Sequence, residues 1–230
     1  MTRSGDSESY IRQACEASLR RLQTDYLDHY VFHVGGAIPK DHLQSIINAL
    51  EGLKSEGKIL SYGGCTDHPD SARWFADHSS CSGYQFNLNV LYETPGMVQL
   101  CEDVNIAAIC VAPLAMGLLS GKYGKGAQFA KDDVRSAGHE WVRYYENGTP
   151  QSDYLRKMDA VRDILTSGGR SLVQGALAWI WARSPVTVPI PGIKNAGQAV
   201  ELAKAMEFGP LTDSQKEEIY MLLEQVEATR

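Results

Sequence analysis

His33 closes the run Tyr26–His33, YLDHYVFH, and an imidazole at a strand end can donate a hydrogen bond to a substrate oxygen or shuttle a proton. The same residue type is also at home as a buried histidine satisfied by backbone. Two-residue alternation sets His29 on the face of His33 and Asp28 on the opposite one, so the strand offers a His pair but no adjacent His–Asp dyad. Cys65 ends a second apolar run and is a nucleophile if its thiol ionises, an inert buried cysteine if not. Further along, Pro191-Gly192 is followed by Lys194 and Gln198. Gly192 permits close backbone approach and Lys194 offers a point charge, which suits an anionic ligand as well as a solvated turn. Lys122, in Leu-Ser-Gly-Lys-Tyr, has the same two readings. Tyr62, Tyr84, Tyr92, Tyr123, Tyr144 and Tyr145 carry phenols, with packing as their commonest use.

The elements that position these residues follow from periodicity. Ile11, Cys15, Leu19 and Leu22 fall on one face of a helix capped by the Ser/Asp-rich start, and Leu43, Ile46, Ile47, Leu50 and Leu53 stripe a second, closed by Gly57. Gly35-Gly36 and Pro39 read as a loop. Strands are expected at 26–33, 59–65, 84–87, 107–112 and 186–190, and further helices at 69–79, 97–104, 154–165, 172–183 and 196–205. A last helix starts at the Thr212 cap, where Thr212 and Gln215 form a capping-box pair. The stretch 113–152 shows no period and reads as a long functional loop, with Trp141, Tyr144 and Tyr145 as candidate aromatic walls of a lid. Strand then helix, repeated, means parallel βαβ units with right-handed crossovers. Five such strands fall short of a closed eight-stranded barrel, so the expected fold is α/β, an incomplete (β/α)8 barrel in one domain over 1–230.

Composition narrows the function classes. The 230 residues carry 22 Lys+Arg against 28 Asp+Glu, a net charge of −6, and no basic run, which argues against nucleic acid. No apolar run approaches the roughly 20 residues that span a bilayer, and the N-terminus lacks the apolar core of a secretory signal. Five cysteines without a CxxC pair argue against a disulfide scaffold or a metal site and for a reducing cytoplasm.

The order of several segments resembles the aldo/keto reductase family over nearly the whole chain. EASLRRLQTDYLDHYVFH, 16–33, is similar to the family's helix and strand ending in its active-site histidine, here His33. GKILSYGGCT, 57–66, and YQFNLNVLYE, 84–93, stand where the next two strands belong. VAPLAMGLLSGKY, 111–123, matches the family loop ending Gly-Lys-Tyr, and QGALAWIWARSPVTVPIPGIKNAGQAVELAKA, 174–205, its last strand and cofactor-phosphate loop. The resemblance implies NADP as cofactor and a small aldehyde or ketone as substrate. It assigns the nicotinamide carboxamide to Gln85, the pyrophosphate to Lys122, close backbone approach of the cofactor to Gly192, the 2′-phosphate to Lys194, and the adenine to Gln198 and Glu201.

In that family a tyrosine acid, a lysine that lowers its pKa and an aspartate that holds the lysine accompany the histidine. Of these four, only His33 has a counterpart here, because the matching segments begin after the family's third strand. Three absent units of about 30 residues each would add about 90 residues. Cys65 and Thr66 also replace the usual Ser-Asn. The expectation is therefore an aldo/keto reductase-like protein of doubtful redox activity. The alternatives are a non-redox enzyme (lyase, dehydratase, isomerase or cyclase) working through His33, or a partner-binding pseudoenzyme. An open sheet leaves unpaired edges, so self-association that covers them is expected as well.

Overall fold

In the computed structural model, residues 8–33 and 40–229 are described. The expected loop at Gly35-Gly36 and Pro39 and the cap of the first helix lie outside them. The chain divides into two compact units, 1–86 with 94–109 and 87–93 with 110–230.

In the first unit, α1 (Glu8–Leu22) buries Ile11, Cys15 and Leu19 and packs on α2 (Lys40–Ser55). Leu22 does not join the stripe; it is 64% exposed, because Gln23 turns into the left-handed region at φ 56° and ends the helix. Strands β1 (Leu27–His33), β2 (Ile59–Cys65) and β3 (Gly83–Asn89) lie side by side and parallel. Helices α2 and α3 (Pro69–Asp77) make the crossovers between them, and α4 (Met97–Asp103) follows β3 on the way to the next strand. Alternation sorts the strand residues onto two faces. Phe32, Tyr62, Tyr84 and Phe86 are buried, and Phe75 of α3 meets the rings of Tyr62 and Tyr84 edge-on at 6.2 and 6.0 Å. His29, Ser61, Gly63, Cys65, Gly83 and Gln85 occupy the other face. There Gly63 is required by close approach: a Cβ would stand 2.1 Å from the Gly83 carbonyl oxygen and 3.0 Å from His29 Nε2.

The second unit begins with the short β4 (Tyr92–Glu93), antiparallel to the end of β3. Its Glu93 receives two bonds from Arg183, Nε at 3.0 Å and Nη2 at 2.7 Å. The end of β5 (Ala107–Val111) leads into 3-10 turns at 115–120 and 134–136. A hairpin follows, β6 (Tyr145–Glu146) and β7 (Thr149–Pro150), turning through Asn147 and Gly148 at φ 50° and 79°. Both central residues left-handed is the type I′ turn that favours Asn-Gly. The expected structureless loop over 113–152 is thus an organised segment.

Helix α5 (Ser152–Leu165) packs on α6 (Leu172–Arg183) and α8 (Asp213–Ala228). The run Leu172–Ile180 of α6 is buried throughout, as its largely apolar sequence demands. After β8 (Thr187–Pro189) comes α7 (Ala196–Lys204). The Thr212–Gln215 capping box is present, with Gln215 N donating to Thr212 Oγ1 at 3.2 Å and Thr212 N to Gln215 Oε1 at 3.0 Å. Among the described residues the strand order is β1-β2-β3-β5-β8 with β4 beside β3, an order with two ends, so the parallel α/β sheet does not close into a barrel there. Among the described residues no helix is long and apolar enough to cross a membrane.

Candidate functional site

Three residues align across the first three strands: His33, the last residue of β1, pairs in register with Cys65, the last of β2, and Cys65 with Gln85, the third residue of β3. Equal register places them on one face of the sheet. His33 is exposed, while Cys65 and Gln85 are partly buried. The neighbouring groups restrict what this row can do. Burial, helped by the charge of Asp67, pushes the Cys65 thiol up to about 11, so it is neutral at ordinary pH and a poor nucleophile. Thr66 accepts from His68 N at 3.1 Å and serves the turn before α3. His29 shares the face of His33 but is held by Ser61: Ser61 Oγ donates to the Asp28 carbonyl at 2.7 Å and accepts from His29 Nδ1 at 2.8 Å. Burial lowers the His29 pKa and keeps the ring neutral.

The other predicted residues belong to the second unit, where a pocket of about 380 Å³ has Lys122, Gly192, Gln198 and Glu201 among its walls. The start of α7 fixes three of them. Asn195 caps the helix, its Oδ1 accepting from Gln198 N at 3.0 Å, and Gln198 Oε1 accepts from Lys194 N at 2.7 Å. Gln174, the buried capping-box partner of Ser171 on α6, donates through Nε2 to the Glu201 carbonyl at 3.2 Å and sets how α7 lies. Lys194 itself is not part of the pocket wall; its exposed ammonium helps hold Asp133 ionised.

Opposite α7 stands the segment 112–121, with Ala112, Ala115 and Met116 at φ 49°, 49° and 54°. Left-handed backbone at residues other than glycine is costly and must be held by its surroundings. Ser120 Oγ donates to the Gly117 carbonyl at 2.6 Å and accepts from Lys122 N at 3.3 Å, which sets the position of Lys122.

Sequence reasoning did not single out Arg135, which also lines the pocket together with Tyr123. Asp133 receives Arg135 Nε at 2.8 Å, Nη2 at 2.7 Å and the backbone N at 2.9 Å. These bonds depress the Asp133 carboxyl to about 2 and raise the Arg135 pKa further. The guanidinium lies 3.4 Å over the Phe129 ring and 5.3 Å from that of Tyr123, so its position is fixed by a fork and a stack together. Phe129 is in turn tied to the hairpin, its N donating to the Gly148 carbonyl at 2.9 Å. The spacing Asp-x-Arg in an aromatic segment was the available signal. Of the tyrosines considered as stand-in acids, Tyr62, Tyr84, Tyr144 and Tyr145 are buried, and burial raises the pKa of each. Tyr144 and Tyr145 are core residues instead of lid walls, and Trp141 is 54% exposed, stacked on His139.

This donor set fits a phosphate-bearing ligand. Lys122 and Arg135 line the pocket, the amide end of α7 is beside it, and a Cβ added at Gly192 would meet nothing within 4 Å, leaving room against the backbone.

The sequence model of the aldo/keto reductase family matches residues 1–224. Among curated relatives, "Aldo-keto reductase yakc [NADP(+)]" of Schizosaccharomyces pombe is 28% identical over 91% of this chain and 61% of its own length. The uncharacterized oxidoreductase YqkF of Bacillus subtilis is 27% identical over 91% and 64%. The chain thus spans less than two thirds of these relatives. Among solved structures, a glycerol dehydrogenase of Gluconobacter oxydans superposes with a TM-score of 0.80 at 26% identity, covering 96% of this chain and 65% of that one. The holo form of an aldo-keto reductase from Bacillus halodurans gives 0.74 at 26% identity, covering 94% and 68%. By sequence and fold, the chain belongs to the aldo/keto reductase family.

Proposed function

We propose that this chain binds NADP(H) in the pocket of its second unit and is the cofactor-holding part of a carbonyl-reducing site. The observation that carries the reading is the convergence of Lys122, Gly192, Gln198 and Glu201, expected from sequence, with Arg135, which was not. In this reading Arg135 and Lys122 hold phosphate oxygens, Lys194 adds charge at the rim, Gly192 admits the ligand to the backbone, and Gln198 and Glu201 face the adenine. The assignments of Gln85 to the nicotinamide carboxamide and of His33 to the carbonyl of a small aldehyde or ketone, both in the first unit, rest on the family resemblance alone. When bound, the cofactor supplies hydride. The Schizosaccharomyces pombe relative, whose name carries NADP(+), supports the cofactor.

The 230-residue chain by itself is proposed to be a weak reductase. Carbonyl reduction needs a proton donor whose pKa is brought down toward the working pH. The four buried tyrosines are shifted the other way. Five cysteines without a CxxC pair support a reducing cytoplasm, and copies are expected to associate over the outer edge of β1. NADPH titration followed by fluorescence, then NADPH oxidation with a panel of aldehydes, tests the reading. Saturable binding with slow turnover is expected; absence of binding removes it.

A further inference from the structure

Asn89 is 1% exposed, at the end of β3 and inside the second unit. A polar side chain this buried must find partners for its amide. Its Nδ2 donates to the Ala112 carbonyl at 2.9 Å and to Tyr144 Oη at 2.7 Å, and its Oδ1 accepts from Leu91 N at 3.0 Å. Both protons and the oxygen are used. The Ala112 carbonyl also accepts from Ala115 N at 2.9 Å, which closes the turn where Ala112, Ala115 and Met116 are left-handed. Ala112, Leu114, Met116 and Gly117 form one wall of the pocket. Tyr144, the other acceptor, immediately precedes Tyr145, whose hydroxyl donates to the Met116 carbonyl at 3.4 Å.

We propose that Asn89 is a positioning residue for the cofactor pocket: its amide clamps the Ala112 carbonyl and so holds the strained wall 112–117 in the shape that receives the ligand. The strain needs such a clamp. Left-handed backbone at three residues other than glycine is strained and persists only when neighbours over-determine it. An asparagine suits the place because a single planar amide can donate twice and accept once. Aspartate would lose both donors, and leucine would fill the volume but release the wall. The proposal rests on the NADP(H) reading for the identity of the ligand, but the clamp itself is testable without one.

The test compares wild type, Asn89→Ser and Asn89→Ala with Val161→Ala, a truncation of a buried α5 side chain that does not line the pocket. Asn89→Ser is the milder change should the alanine variant fail to fold. Amide hydrogen exchange on the ligand-free proteins is read for 115–119 and, as internal reference, for 173–180 of α6. The expected result is at least tenfold faster exchange at 115–119 in the Asn89 variants, beyond any change in α6, with no such excess in Val161→Ala. NADPH affinity should fall about tenfold in the Asn89 variants and stay within twofold in Val161→Ala. Exchange that rises no more at the wall than in α6 overturns the clamp. A loosened wall with unchanged NADPH affinity makes Asn89 merely structural and overturns the positioning role. If wild type binds no NADPH, the cofactor reading fails, and the exchange result alone decides the clamp.

Discussion

Arg135 concentrates the chemistry of the pocket at the scale of one residue. Asp133 takes three hydrogen bonds from it, and Phe129 takes its face, so the guanidinium is held before any ligand arrives. Preorganised donors lose less entropy on binding than free ones. The ion pair carries its own pH signature. The Asp133 carboxyl is depressed to about 2 in the fold, against about 3.9 for an unperturbed aspartate. Its stabilisation is therefore complete above pH ~4 and lost as pH falls through ~2. For a half-buried pair of this geometry it amounts to about 1 kcal/mol. Thermal melts of wild type and Asp133→Asn should differ by about 2–4 °C at neutral pH, and the gap should close as the pH is taken from ~4 to ~2. A gap that widens on acidification would contradict the assignment. None of this was evident in the sequence, because an isolated Asp-x-Arg in an aperiodic segment looks like any solvated pair.

At the scale of elements, glycine positions separate packing from site. At Gly63 a methyl group meets the Gly83 carbonyl, backbone that cannot step aside. Gly63→Ala should cost about 2 kcal/mol and lower Tm by about 4–8 °C. Gly192→Ala meets nothing and should leave Tm unchanged while weakening the ligand. Equal melting temperatures for wild type and Gly63→Ala would refute the close approach. Most elements were legible. The apolar stripes of α1 and α2, the span 59–65 of β2 and the capping box of α8 follow from side-chain period and local hydrogen bonding, which sequence encodes directly. The short β4 and the β6–β7 hairpin were not read. Two-residue strands have no period, although Asn147-Gly148 was the turn signal. Asn89 escaped because a polar residue between Leu88 and Val90 looks like the outward position of a strand, and its partners, Ala112 and Tyr144, are 23 and 55 residues away.

On the scale of the whole molecule, the sheet has two ends, and β1 has one strand neighbour, β2, among the described residues. An unpaired edge of seven residues invites pairing with another chain. Size-exclusion chromatography with light scattering should find a dimer or larger species at micromolar concentration; a clean monomer would contradict the association. The chain's net charge is −6, yet its pocket gathers Lys122 and Arg135, with Lys194 near Asp133. In the proposed reading these cations, partly balanced by Glu201 and Asp133, receive an anion. The anion proposed for the pocket is the phosphate end of NADP(H). Calorimetric titration of NADPH into the intact chain, in parallel with Arg135→Ala, tests it most directly. One saturable site is expected in the wild type, weakened about tenfold or more by the substitution. Affinity unchanged by Arg135→Ala, or no heat of binding at millimolar NADPH, would contradict it.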